Sequence, residues 1–109
     1  MAERITKSDI AVQAAILASY SEAAGIIHAG DRLIVEQSAS GHYLHIIPAG
    51  GSNRATYPGT RAFGIVGKTG REAFERLNAM QETMRATLDA LGVAYTYPSA
   101  AIAAIRGER

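Results

Sequence analysis

A chain of 109 residues fits one domain and is too short for a nucleotide-hydrolase core built from several crossover units. Its net charge of +1, with 19% charged residues, sets up no overall field to recruit nucleic acid or an anionic membrane. The absence of cysteine excludes disulfides, thiol catalysis and cysteine-based zinc sites.

The start, "MAERITKSDI", carries charges and no apolar run, unlike a signal peptide. No uncharged stretch is long enough to span a bilayer. A cytoplasmic protein without membrane contact is expected. The cations are unusual in kind, nine Arg against two Lys, and Arg favours bidentate contacts to carboxylate or phosphate.

In chain order, residues 8–30 are predicted helical. Ser8 is the expected N-cap, Asp9 suits the positive end of the dipole, and Gly30 can stop the helix. Val12, Ile16, Tyr20, Ala23 and Ile27 recur at helical spacing. Ala11, Ala14, Ala15, Ala18, Ala23 and Ala24 leave little polar surface. A helix apolar over so much of its circumference needs more than one neighbour. Either it lies deep in the domain or a second subunit covers it, and a homo-oligomer is expected.

Two alternating stretches, 32–37 and 42–48, are predicted strands joined by the four-residue hairpin "SASG". Residues 48–60, with three Gly and two Pro, form the longest expected loop. A third strand is expected over "RAFGIV". A second helix is expected over 70–91, with Phe74, Leu77, Met84, Leu88 and Leu91 as its apolar stripe and Gly92 as its stop. "VAYTYP" alternates like a strand, and Ser99 is the expected cap of a last short helix. The fold class expected is a single α+β domain of order αβββαβα, an antiparallel three- to four-stranded sheet with helices packed on it.

Ala62, Gly67, Lys68 and Thr69 in "AFGIVGKTGR" fit the loose phosphate-loop pattern. A working loop of that kind needs free backbone N–H groups, and Ile65 and Val66 read as strand interior instead. "TGRE" reads as a capping box, Thr69 capping the second helix and Glu72 reaching back. An intermediate reading keeps a ligand. The helix N-terminus binds an anion without hydrolysing it, with Lys68 and Arg71 beside it and Arg54 and Arg61 folding over from the loop. Tyr95 and Tyr97, two apart on one strand face, would supply a stacking platform for a base.

The strand leading into "GKTGREAFERL" resembles the last-strand-to-helix turn of HicB-type antitoxins, from which the alanine-rich first helix departs. The αβββα order resembles double-stranded-RNA-binding domains, whose second helix opens with basic residues, here only Lys68 and Arg71.

His42 and His45 are three apart on a strand and face opposite sides, so no metal site is expected. No cofactor is expected. No nucleophile elbow surrounds Ser38, Ser40 or Ser52. The leading expectation is therefore a non-enzymatic protein. It would capture a phosphate-bearing, nucleotide-like molecule or a nucleic-acid segment at Arg54, Arg61, Gly67, Lys68, Thr69, Arg71, Tyr95 and Tyr97. The alternative is a protein–protein interaction module, an inhibitor or assembly subunit without a small ligand. The third is a small hydrolase or nuclease using His42 or His45.

Overall fold

The computed structural model describes residues 4–49 and 61–107. Their order is α1 (Lys7–Ala23), β1 (Arg32–Ser38), β2 (Gly41–Ile47), β3 (Arg61–Gly67), α2 (Gly70–Leu91) and α3 (Ser99–Arg106). The expected loop lies outside the described residues from residue 50 to residue 60, and Arg54 with it.

Helix α1 is capped by Thr6, not by Ser8. The Asp9 N–H donates to Thr6 Oγ1 (3.1 Å) and the Thr6 N–H donates to Asp9 Oδ2 (2.9 Å). Counting from Ser8, the third helical residue is Ala11, which cannot reciprocate; counting from Thr6 it is Asp9. The helix ends at Ala23, well short of Gly30. Gly25 takes the left-handed conformation (φ +78°), and the Ile26 N–H reaches Ser21 O at 2.9 Å, which closes the end as a Schellman turn. Ile27 then turns into the core at 3% exposure and does not prolong a helical stripe.

The three strands form an antiparallel sheet in the order β1-β2-β3. Ser38 pairs with Gly41, so the hairpin turn is Ala39–Ser40 and shorter than "SASG". Register shifts opposite His42/Tyr43 and Leu44/His45 leave Val66 and Phe63 as extra residues on β3.

Leu33, Leu44, Ile46 and Val66 present one face of the sheet to Ile10, Ala14 and Leu17 of α1 and to Ala73 and Leu77 of α2. A second cluster joins Val12, Ile16 and Tyr20 of α1 to Leu88, with Ile102 and Ile105 of α3 against it. Two sides of α1 are thus covered by its own chain, and this accounts for most of its apolar circumference. Leu91, expected in the α2 stripe, is 71% exposed, although Leu88 in the same turn is buried. No described helix is long and apolar enough to cross a membrane.

Residues 93–98 form no strand, so the order of described elements is αβββαα. Their alternation serves helix packing. The Tyr95 ring meets Tyr20 edge-on at 5.0 Å, its hydroxyl donates to Asp89 Oδ1 at 2.7 Å, and Ser19 Oγ donates to Thr96 O. Ser99 lies within α3, whose N-cap is Pro98 with no side-chain bond. From there α3 runs back along α1 until Arg106 meets Asp9 at 3.4 Å.

Helix α2 matches its expected bounds, because both signals are local: Thr69 with Glu72 at one end, and Gly92 at φ +70° at the other. Thr69→Ala is expected to cost about 1 kcal/mol, the usual loss on removing an N-cap hydroxyl. An unchanged melting temperature would overturn the cap assignment.

Candidate functional site

Strand β3 runs to Gly67, so only Lys68 and Thr69 separate strand from helix. The residues that would cradle a phosphate in a phosphate loop are strand residues here. Gly67 lies directly on the first turn of α2: a Cβ there would come within 2.5 Å of Ala73 N. The donors at the start of α2 are engaged by the chain's own carboxylate. Glu72 Oε1 accepts from the Lys68 N–H (2.8 Å) and the Thr69 N–H (3.3 Å), while the Glu72 N–H donates to Thr69 Oγ1 (3.1 Å). An incoming phosphate would have to displace Glu72 first.

These bonds hold the Glu72 carboxyl below its ordinary pKa, the Lys68 N–H contributing most and the Thr69 N–H next. Asp9 is lowered in the same way by the backbone N–H and then the hydroxyl of Thr6. Both groups bind protons more weakly in the folded chain than in the unfolded one. Their stabilisation is therefore complete above the ordinary carboxylate range and is lost as pH falls through the lowered folded values. Melting temperature should drop on acidification below about pH 5, and more steeply for the wild type than for an Asp9→Asn/Glu72→Gln variant. Parallel curves for the two proteins would refute this.

The other expected ligand residues do not converge on the start of α2. Arg61 begins β3, opposite Ile46, whereas Gly67 ends it opposite His42, a separation of about 20 Å along the strand. Arg71 pairs with Glu75 at 3.9 Å along the helix. Tyr95 is tied to Asp89, about 30 Å up α2 from Thr69. That hydrogen bond, with some burial, raises the Tyr95 phenol above its ordinary pKa. Tyr97 is exposed. Among the described residues the structure gathers Gly67, Lys68, Thr69 and Arg71 alone, which are neighbours in sequence already.

A wide concavity lies elsewhere. It is a groove of about 1010 Å³ between β1 and α3, floored by the side of α1 that carries Ala11, Ala15 and Ala18. Ala101 and Ala104 of α3 form the far wall. Residues 30–37 all line it. Successive strand residues point to opposite faces, so an unbroken run along one wall means that β1 meets the groove with its edge. Among the described residues β1 pairs with β2 alone. His42 also lines the groove, 8% exposed, and its buried Nδ1 makes no hydrogen bond among the described residues.

His42 lies on the same side of β2 as Leu44 and Ile46, whereas His45 lies on the other, its Nε2 3.7 Å from Glu36. Among the described residues no three potential ligands gather around a metal-sized space. The alanine spacing 11, 15, 18 is readable in the sequence as one side of a helix; what faces that side is not, because α3 and β1 are remote in sequence from it. Comparison with known proteins finds no matching family model, no matching curated protein and no matching solved structure.

Proposed function

We propose that this protein is a non-enzymatic interaction module and that its working surface is the groove between β1 and α3. The observation that carries this reading is a strand edge opening onto an alanine-floored channel. An extended segment laid there would receive main-chain hydrogen bonds from β1 and bury its alternate side chains on α1, the physics of strand addition. Exposed edges are a hazard that proteins ordinarily cover, charge or shorten, and an edge left beside an apolar channel is suited to being filled. Capture of a phosphate-bearing ligand at the start of α2 is the weaker reading, since Glu72 already occupies those donors.

Selection of displayed random peptides against the folded protein tests the proposal. The expected winners are extended segments with alternating apolar residues. Their binding should be lost on Ala15→Glu, which places a charge in the floor of the groove. Winners that bind Ala15→Glu equally well would reject the groove. So would micromolar binding of a nucleotide, abolished by Lys68→Ala, with no peptide selected.

A further inference from the structure

We infer that the groove's occupant is the same edge of a second copy of this chain, β1 pairing antiparallel with β1 across a two-fold axis at Ile34; this rests on the groove being an interaction surface. Strand β1 reads Arg32-Leu33-Ile34-Val35-Glu36. With the axis at Ile34, each Arg32 faces the other copy's Glu36. Leu33 faces Val35 on the helix side of the sheet, and Ile34 faces itself. Every cross-strand pair is complementary, and the charge pair occurs twice.

Helix α1 carries the same symmetry. Its residues that line the groove include Lys7, Ala11, Ala14, Ala15, Ala18 and Glu22. An axis between Ala14 and Ala15 sets Lys7 against the other copy's Glu22 and Ala11 against its Ala18. The two axes coincide. The start of α1 lies at the end of β1, because Ile10 Cδ1 would be 3.6 Å from a Cβ on Gly70 and neighbouring Gly67 pairs with His42, itself opposite Gln37. The end of α1 leads back into the start of β1. Lys7 to Glu22 spans about 22 Å of helix, and Asp31 to Gln37 about 20 Å of strand, so the two midpoints lie side by side.

One rotation therefore pairs opposite charges on both elements. It places small side chains where two helices must approach to about 8 Å, and it joins the edge of β1 that is unpaired among the described residues into one sheet continuous across both copies. The interface is isologous and ends at the dimer.

Sedimentation velocity with charge exchange tests this. The wild type should sediment as a dimer at micromolar concentration. Arg32→Glu and Glu36→Arg each set like charges opposite one another twice, and each alone should weaken the dimer by at least about 100-fold. An equimolar mixture of the two variants, or Arg32→Glu/Glu36→Arg in one chain, should restore it. As the chain has no cysteine, Ile34→Cys reports the axis directly: oxidation should give a covalent dimer, and Ala90→Cys on α2 should not. A monomeric wild type whose groove still captures selected peptides through Ala15 would overturn the second copy and leave the interaction module standing. A dimer indifferent to both charge reversals, with no Ile34→Cys cross-link, would overturn the axis.

Discussion

Gly67→Ala should destabilise the fold by about 3 kcal/mol or more, the range of substitutions that force strain into a core. The added Cβ would stand 2.5 Å from Ala73 N, and 2.8 Å from both Glu72 C and Glu72 Cβ. Two of those are backbone atoms of the first turn of α2, which cannot swing aside as the tip of a side chain can. Relief requires lifting the end of β3 from α2. Val66, Ala73 and Leu77, all within the main core cluster, would separate with it. Glycine in a strand commonly marks such a close approach of two backbones. Gly92→Ala provides the contrast: nothing lies within 4 Å of its Cβ, so only the left-handed backbone (φ +70°) is strained, at about 1 kcal/mol. Urea titrations of the two variants should differ by about 2 kcal/mol or more in that order. Equal losses would mean that the strand end relaxes freely.

That contrast shows which parts of the fold were legible in the sequence. Helix α2 was readable because its limits are set by residues three positions apart at its start and by one glycine at its end. For helix α1 the expected limits were Ser8 and Gly30, whereas the structure uses Thr6 and Gly25. Asp9 and a tertiary demand on Ile27 decided between them, and propensity did not. "VAYTYP" carries a strand period, yet the alternation that would put Tyr95 on a sheet serves equally to seat it on Tyr20. The choice lies with partners far along the chain. At the start of α2 the capping box was legible. The separation of Arg61, Lys68 and Tyr95 was not, since it is set by the length of β3, which begins at Arg61 and ends beside Lys68, and by the length of α2, which lies between Lys68 and Tyr95. The alanine side of α1 was visible as a surface in need of a neighbour, but its division into a covered side and an open groove depends on α3.

This division separates two alanines that the sequence alone treats alike. Ala14→Glu should cost about 4 kcal/mol or more, the cost of a buried charge without a partner. Ala14 is 1% exposed in the cluster that includes Leu17, Leu33, Leu44 and Leu77. From sequence, glutamate at Ala14 or Ala18 would be a probe of a subunit interface. In the structure, Ala14 probes the core of a single chain, and Ala18 packs partly against the same cluster. Ala15 stands about 100° further round the helix; both alanines border the groove, but Ala15 is half-buried where Ala14 is buried, so a carboxylate at Ala15 keeps part of its water. Ala15→Glu should change the unfolding free energy by less than about 1 kcal/mol, while groove binding is lost. The pair thus separates folding from function one residue apart. Urea unfolding followed by far-UV circular dichroism measures the first, and sedimentation or peptide binding the second. If Ala14→Glu proves as stable as the wild type, α1 does not lie on the sheet through Ala14, and the groove assigned to Ala11, Ala15 and Ala18 would fall with that orientation.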